Sequence, residues 1–228
     1  MVRRAAESLP HIDAVACIAG VQVIKGQTRT EDGLEETFAV NHLSHVALVD
    51  TLLNRSRPLG RVVFIGSATH DPDQRTGTPP PLDGSIEELA RPVPDSQAPL
   101  TAGMRRYVTT RQLAIATSAA LARERPDVHV TAFDPGLMPG TGLARQYPLA
   151  VRLIWGTLAR GLTLLPFVST PVASGSALAA LLTQEPPPAP SGSYVDYRLR
   201  DTKRSRRAAD VQYQAEALRA SREFLAAL

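Results

Sequence analysis

The sequence predicts an α/β fold, a parallel sheet with helices on both faces. Three observations carry this. Short, continuous apolar runs stand at 12–19, 61–66 and 128–134, the pattern of strands buried on both faces. Helix-period stretches separate them. The alternation of strand with helix calls for crossover connections between parallel strands. At 228 residues the chain has the length of one substantial domain, and no linker divides it. Residues 1–228 therefore read as a single domain.

Residues 2–9 read as the tail of a helix, and IDAVACIA at 12–19 as a buried strand ending at Gly20. A polar turn, Gln27–Asp32, leads into a helix from about Asp32 to Leu53, in which Leu34, Phe38, Asn41, His45, Leu48 and Leu52 fall on one stripe. Asn41 and His45 sit on that buried face, where a polar group needs hydrogen-bond partners. His45 reads as a satisfied core histidine, whereas an amide in mid-helix costs propensity and suggests a specific use. RVVFIG at 61–66 is the second strand, followed directly by Ser67. Residues 71–100 form a long Pro-, Asp- and Gly-rich excursion around a short helical piece, SIEELA, the kind of connection that usually carries function. A helix over 103–124 follows, closed by Pro126, and then a strand at 128–134 running into Pro135-Gly136 and LMPGTGLAR. Further on come a helix at 171–183 opened by a proline, a proline-stiffened loop, a last strand at 194–198 and a closing helix at 208–227. No internal repeat is present.

Composition excludes several classes of function. The formal net charge is +3, and the one basic cluster, 203-KRSRR-207, reads as a solvated turn before a helix rather than a nucleic-acid patch. Cys17 is the sole cysteine, so neither an internal disulfide nor a cysteine-based zinc site can form. A reducing, cytoplasmic setting is expected. No span reaches the ~18 uninterrupted apolar residues of a membrane helix. The nearest, 149–168, carries Arg152 and Arg160; it reads as a helical lid over an apolar pocket, the alternative being a segment lying on a membrane surface.

Chemistry concentrates in GMRRYVTTRQ, where Tyr107 and Arg111 are four residues apart and share a helix face. A free phenol titrates near ~10. One cation at about 4 Å, in an effective dielectric of ~20, is worth ~4 kcal/mol, which is enough to make the pair a workable acid/base. The plain alternative is an aromatic at a helix start beside a solvated charge. Ser67 adds a hydroxyl at the C-terminal end of a strand, where open parallel sheets bind ligands.

Taken together, Asn41 in FAVNHLSH, Ser67 in RVVFIGSATHDP, Tyr107 with a cation four residues on, and FDPGLMPGTGLAR resemble the short-chain dehydrogenase/reductase family. SATHDP and DPGLMPGTGLAR are more narrowly similar to the branch of light-dependent protochlorophyllide reductase and retinol dehydrogenase-like enzymes. The resemblance implies a Rossmann-type sheet binding NAD or NADP, with hydride transfer to or from a carbonyl, an alcohol or a conjugated double bond of an apolar small molecule. It implies that Tyr107 exchanges the proton, Ser67 polarises the substrate oxygen, Arg111 lowers the Tyr107 pKa and contacts ribose, and Asn41 orders a relay water. Pro135, Gly136 and Thr141 would hold the nicotinamide end of the cofactor, and Ala19 and Gly20 stand where the family has its Asn-Asn-Ala-Gly turn.

The sequence departs from that pattern twice. The family's lysine is Arg111 here, which keeps the charge but does not give up a proton. The family's opening strand, glycine-rich turn and helix, which cradle the pyrophosphate, have no counterpart, so the expected fold is N-terminally shortened. The 12–19 strand then becomes an exposed edge, an association hazard to be covered by a second copy or a partner. The alternative function is a cofactor-free remnant or binding module of the same fold; a third is a non-redox enzyme using Tyr107 and Ser67 as an acid/base pair.

Overall fold

The computed structural model describes residues 2–55, 59–74, 76–94, 96–138 and 168–228. In chain order the elements are α1 (Val2–Ser8), β1 (Ala14–Cys17), α2 (Glu36–Phe38), a π-helical turn (Ala39–Leu43), α3 (Ser44–Leu53), β2 (Arg61–Ile65), α4 (Ile86–Ala90), α5 (Pro99–Glu124), β3 (His129–Asp134), α6 (Pro171–Thr183), β4 (Tyr194–Asp196), α7 (Arg206–Ala209) and α8 (Val211–Ala226). A single-turn 3₁₀ helix, Ala68–His70, follows β2. The four strands form one parallel sheet in the order β1-β2-β3-β4.

Alternation along the strands explains why helices cover both faces. Val62 and Phe64 of β2 and Val130 of β3 join a core with Phe38, Val46, Leu113 and Leu121. Their neighbours Val63, Ile65 and Phe133 pack against Ala177 and Leu181 of α6 on the other side. A period of two sends successive side chains to opposite faces, and both faces here are apolar. β2 is buried along its whole length, whereas Ala14, Val15 and Ala16 of β1 are only half-buried. β1 lies at an edge of the sheet formed by the described strands.

Several expected boundaries move, each for a local reason. The helix expected from Asp32 starts at Glu36 because the Glu35 carboxylate caps it, accepting from the Phe38 amide at 2.7 Å. The Tyr107 helix starts at Pro99 rather than 103, with proline in its first turn, so Tyr107 lies in the third turn. The closing helix breaks at Asp210, whose extended backbone and side chain cap α8 through the Gln212 and Tyr213 amides. The last strand ends at Asp196 instead of 198, where Asp196 accepts from the amides of Arg198 and Arg200 in a tight turn. Within 149–168 only Val168 is described, so the expected lid lies outside the described residues. No helix among the described residues is long and apolar enough to cross a membrane.

The segment after β1 is docked onto α5. A side-chain carbon at Gly103 would fall 2.1 Å from the Val23 carbonyl oxygen, so only glycine admits this approach. Arg106 reinforces it, donating to the Gly26 carbonyl at 2.9 Å and pairing with buried Glu35 at 3.2 Å. The chain leaving β1 is thereby held against the helix that carries Tyr107.

Candidate functional site

The expected site residues that are described lie at the C-terminal ends of the strands. Arg111 is 4% exposed. Its Nη1 donates to the carbonyl of Ile65, the last residue of β2, at 3.1 Å, and its guanidinium carbon lies 4.7 Å from the centre of the Tyr107 ring. A side-chain carbon at Gly20 would sit 2.7 Å from Arg111 Nη2 and 3.4 Å from Asn41 Oδ1. Gly20 thus leaves room for the guanidinium beside the loop that follows β1. The guanidinium stacks on the phenol rather than hydrogen-bonding its hydroxyl, which has no partner among the described residues and stands on a half-buried side chain.

Asn41 lies on the π-helical turn, a distortion that recurs at functional sites. Its Oδ1 accepts from the Val21 amide at 2.8 Å, and its Nδ2 donates to the Val21 carbonyl at 2.9 Å and to Thr110 Oγ1 at 3.3 Å. The side chain therefore clamps the backbone just past Ala19 and Gly20, both of which are exposed. This satisfies the buried amide and explains its mid-helix position.

Ser67 caps the 3₁₀ turn, accepting from the Thr69 amide at 3.3 Å and the Thr69 hydroxyl at 3.0 Å. Both bonds use its oxygen as acceptor, so its own proton is left to donate. Two residues not singled out from sequence hold this loop. Asp134, at the end of β3, accepts from the Ala68 amide and the Gly136 amide, each at 2.8 Å, and from Tyr194 Oη at 3.2 Å. It joins the Ser67 loop to the Pro135-Gly136 loop. His70 donates from Nδ1 to the Ser67 carbonyl at 2.6 Å and accepts at Nε2 from the Ser205 amide at 3.0 Å, a tautomer fixed by the two backbone partners. The available signals were an aspartate closing a strand before Pro-Gly and a histidine three residues after the serine. Gly136 has φ +71° and faces Tyr197, with no room for a side chain. The Pro135 carbonyl accepts from Ser174 Oγ at 2.6 Å. Thr141 lies outside the described residues.

No family model matches the chain. A stretch of 143 residues is 29% identical to the WW domain-containing oxidoreductase of Drosophila melanogaster, covering 62% of this chain and 32% of that protein. The protein of the same name from Gallus gallus is 54% identical over 44 residues, 18% of this chain and 10% of that one. The chain thus spans about a third of the fly relative and a tenth of the chicken relative. Among solved structures, an uncharacterised protein from Mycobacterium paratuberculosis superposes with a TM-score of 0.64 at 22% identity, over 97% of this chain and 70% of that one. A blue fluorescent protein from a metagenomic library, in complex with NADPH, gives 0.54 at 19% identity, over 86% and 68%. A Serratia marcescens short-chain dehydrogenase/reductase gives 0.53 at 16% identity, over 86% and 67%. The Rossmann-type parallel fold expected from the sequence is borne out, and the resemblance to the short-chain dehydrogenase/reductases with it at the level of the fold.

Two buried histidines set the electrostatics behind the site. Burial, and then the positive charge of Arg111, lower the pKa of His45 to about 4; its Nε2 is buried without a hydrogen-bond partner among the described residues. Burial, and then His45, lower His42 to about 3. Unfolded, each titrates near ~6.5. Below that pH the unfolded chain binds more protons than the folded one, so stability falls as pH drops toward about 4 for His45 and about 3 for His42. The slope is up to about 1.4 kcal/mol per pH unit for each histidine. Burial raises Glu35 and Asp134, so acid relieves their burial and offsets part of the loss. Urea denaturation at pH 7 and pH 5 should therefore show a smaller stability loss in His45→Gln than in the unsubstituted chain. An equal loss in the two proteins would contradict the histidine assignment.

Proposed function

We propose, for a chain with the fold and motifs of the short-chain dehydrogenase/reductases, an oxidoreductase that transfers hydride between NAD(P)H and a carbonyl, an alcohol or a conjugated double bond of an apolar small molecule. One observation carries the reading. Among the described residues, Arg111 is a buried cation with no carboxylate within ion-pairing distance, and its Nε is buried without a hydrogen-bond partner. A buried unpaired charge is expensive, and an aromatic face with a single carbonyl offsets only part of that cost. Negative charge on the adjacent Tyr107 oxygen, or polar oxygens of a bound ligand, would supply the missing partner.

The residues suit the nicotinamide end of such a cofactor. Gly20 admits the Arg111 guanidinium beside the loop after β1, and Gly136, at φ +71° against Tyr197, shapes the loop after β3. Arg111, Gly20, Pro135 and Gly136 would hold that end, with Ala19 on the rim of the same loop. A bound nicotinamide would give or take the hydride. Tyr107 Oη would then exchange the proton with the substrate oxygen, and Ser67 Oγ would donate a hydrogen bond to that oxygen and fix its place. Asn41 acts as a positioning residue, holding Val21 in place rather than touching the substrate. His70 and Asp134 hold the serine and glycine loops in register. No strand among the described residues runs through a glycine-rich turn into a helix, so the pyrophosphate end finds no counterpart there.

A reducing, cytoplasmic setting belongs to the same reading; the single cysteine, Cys17, is buried and free. So does a covered β1 edge, provided by a second copy or a partner segment, because its unpaired backbone groups invite pairing.

Tyr107→Phe should lower the turnover of aromatic ketones or aldehydes with NADPH by at least about a hundredfold, with an unchanged circular-dichroism melting curve. Retained turnover would remove the tyrosine from the mechanism. Light scattering of the purified chain should show a dimer or larger assembly. A strict monomer melting well above the ~45–65 °C of ordinary domains would contradict the covered edge.

A further inference from the structure

Away from Tyr107, α5 borders a second cleft, of about 290 Å³. Arg123 on its wall lies twelve residues beyond Arg111, about 18 Å further along the helix. Facing it is Arg204, between β4 and α7. Arg123 donates to Gln214 Oε1 at 2.7 Å, and Arg204 to the Gly192 carbonyl. Neither guanidinium forms an ion pair with a carboxylate among the described residues. Glu124 is held by Arg222 at 2.7 Å, Asp127 by Arg125 at 2.7 Å, and Asp210 by the amides that it caps. The charge of Asp201 reaches Arg204, and no ion pair between them is formed among the described residues. Burial, together with the repulsion of Arg123, lowers the pKa of Arg204 despite Asp201. Arg204 Nε is also buried without a partner. Exposed Arg123 and half-buried Arg204 line one cleft, with Asp201 the carboxylate whose charge reaches Arg204, and guanidinium groups are well suited to phosphate oxygens. Ala119, Ala122, Ala209 and Val211 form an apolar part of the wall, and Ser191, Gly192 and Gln214 complete it.

We propose that this cleft binds a phosphate monoester, the two guanidinium groups taking the dianionic phosphate and the alanine and valine wall taking the organic group. The site is independent of the oxidoreductase reading. Phenyl phosphate and inorganic phosphate, titrated onto the full chain and followed through the Gly192 and Ser191 amide resonances, test it. Saturable shifts are expected, with phenyl phosphate the tighter ligand. Arg123→Gln and Arg204→Gln should each weaken binding about tenfold or more, as expected for a charged hydrogen bond. Circular dichroism reports whether each variant is folded. Arg123 makes no side-chain bond to backbone among the described residues, so its variant keeps the test valid if the Arg204 variant unfolds. Absence of saturable shifts at tens of millimolar, or equal binding by a folded Arg123→Gln, would overturn the proposal. Succinate binding as tightly as phenyl phosphate would overturn the assignment of a phosphate ligand.

Discussion

The site depends on where one guanidinium goes. Arg111 reaches inward from α5 to the end of β2, lies over the Tyr107 ring, and fills the space that Gly20 leaves beside the loop after β1. Helix, strand end and loop are therefore fixed relative to one another by a single buried side chain. Lysine could supply the charge but not the planar fork that stacks on a ring while donating sideways. Gly20 accommodates that fork, since a side-chain carbon there would fall 2.7 Å from Arg111 Nη2.

A second layer of polar anchors stands behind that contact. Asn41 clamps Val21, Asp134 joins the Ser67 and Gly136 loops, and His70 ties Ser67 to Ser205. All are buried, and all direct their hydrogen bonds mainly at backbone groups. Such partners fix loop geometry without contributing reactive groups, leaving the Tyr107 hydroxyl and the Ser67 proton available. Rigid support of this kind is what positions reacting atoms to within fractions of an ångström.

Much of the fold could be read from the sequence because its signals are periodic. Of the stripe Leu34, Phe38, Asn41, His45, Leu48 and Leu52, all but half-buried Leu48 are buried, and the three apolar runs form adjacent parallel strands. Boundaries were less legible because single side chains decide them: Glu35 and Asp210 as caps, Pro99 as a first helical residue. At the site, the spacing of Tyr107 and Arg111 indicated a shared face but not that the cation would turn inward, since that depends on the Ile65 carbonyl and Gly20. Asp134 and His70 were missed for a related reason. Their partners are backbone groups of other loops, and no local pattern announces them.

The most direct test is a titration of the folded chain and of its Arg111→Met variant with NADPH, followed by nicotinamide fluorescence. The account predicts saturable binding below a millimolar by the unsubstituted chain, weakened about tenfold or more in the variant, a loss of roughly 1.4 kcal/mol or greater. No saturable binding up to a millimolar, or equal binding by both proteins, would contradict it.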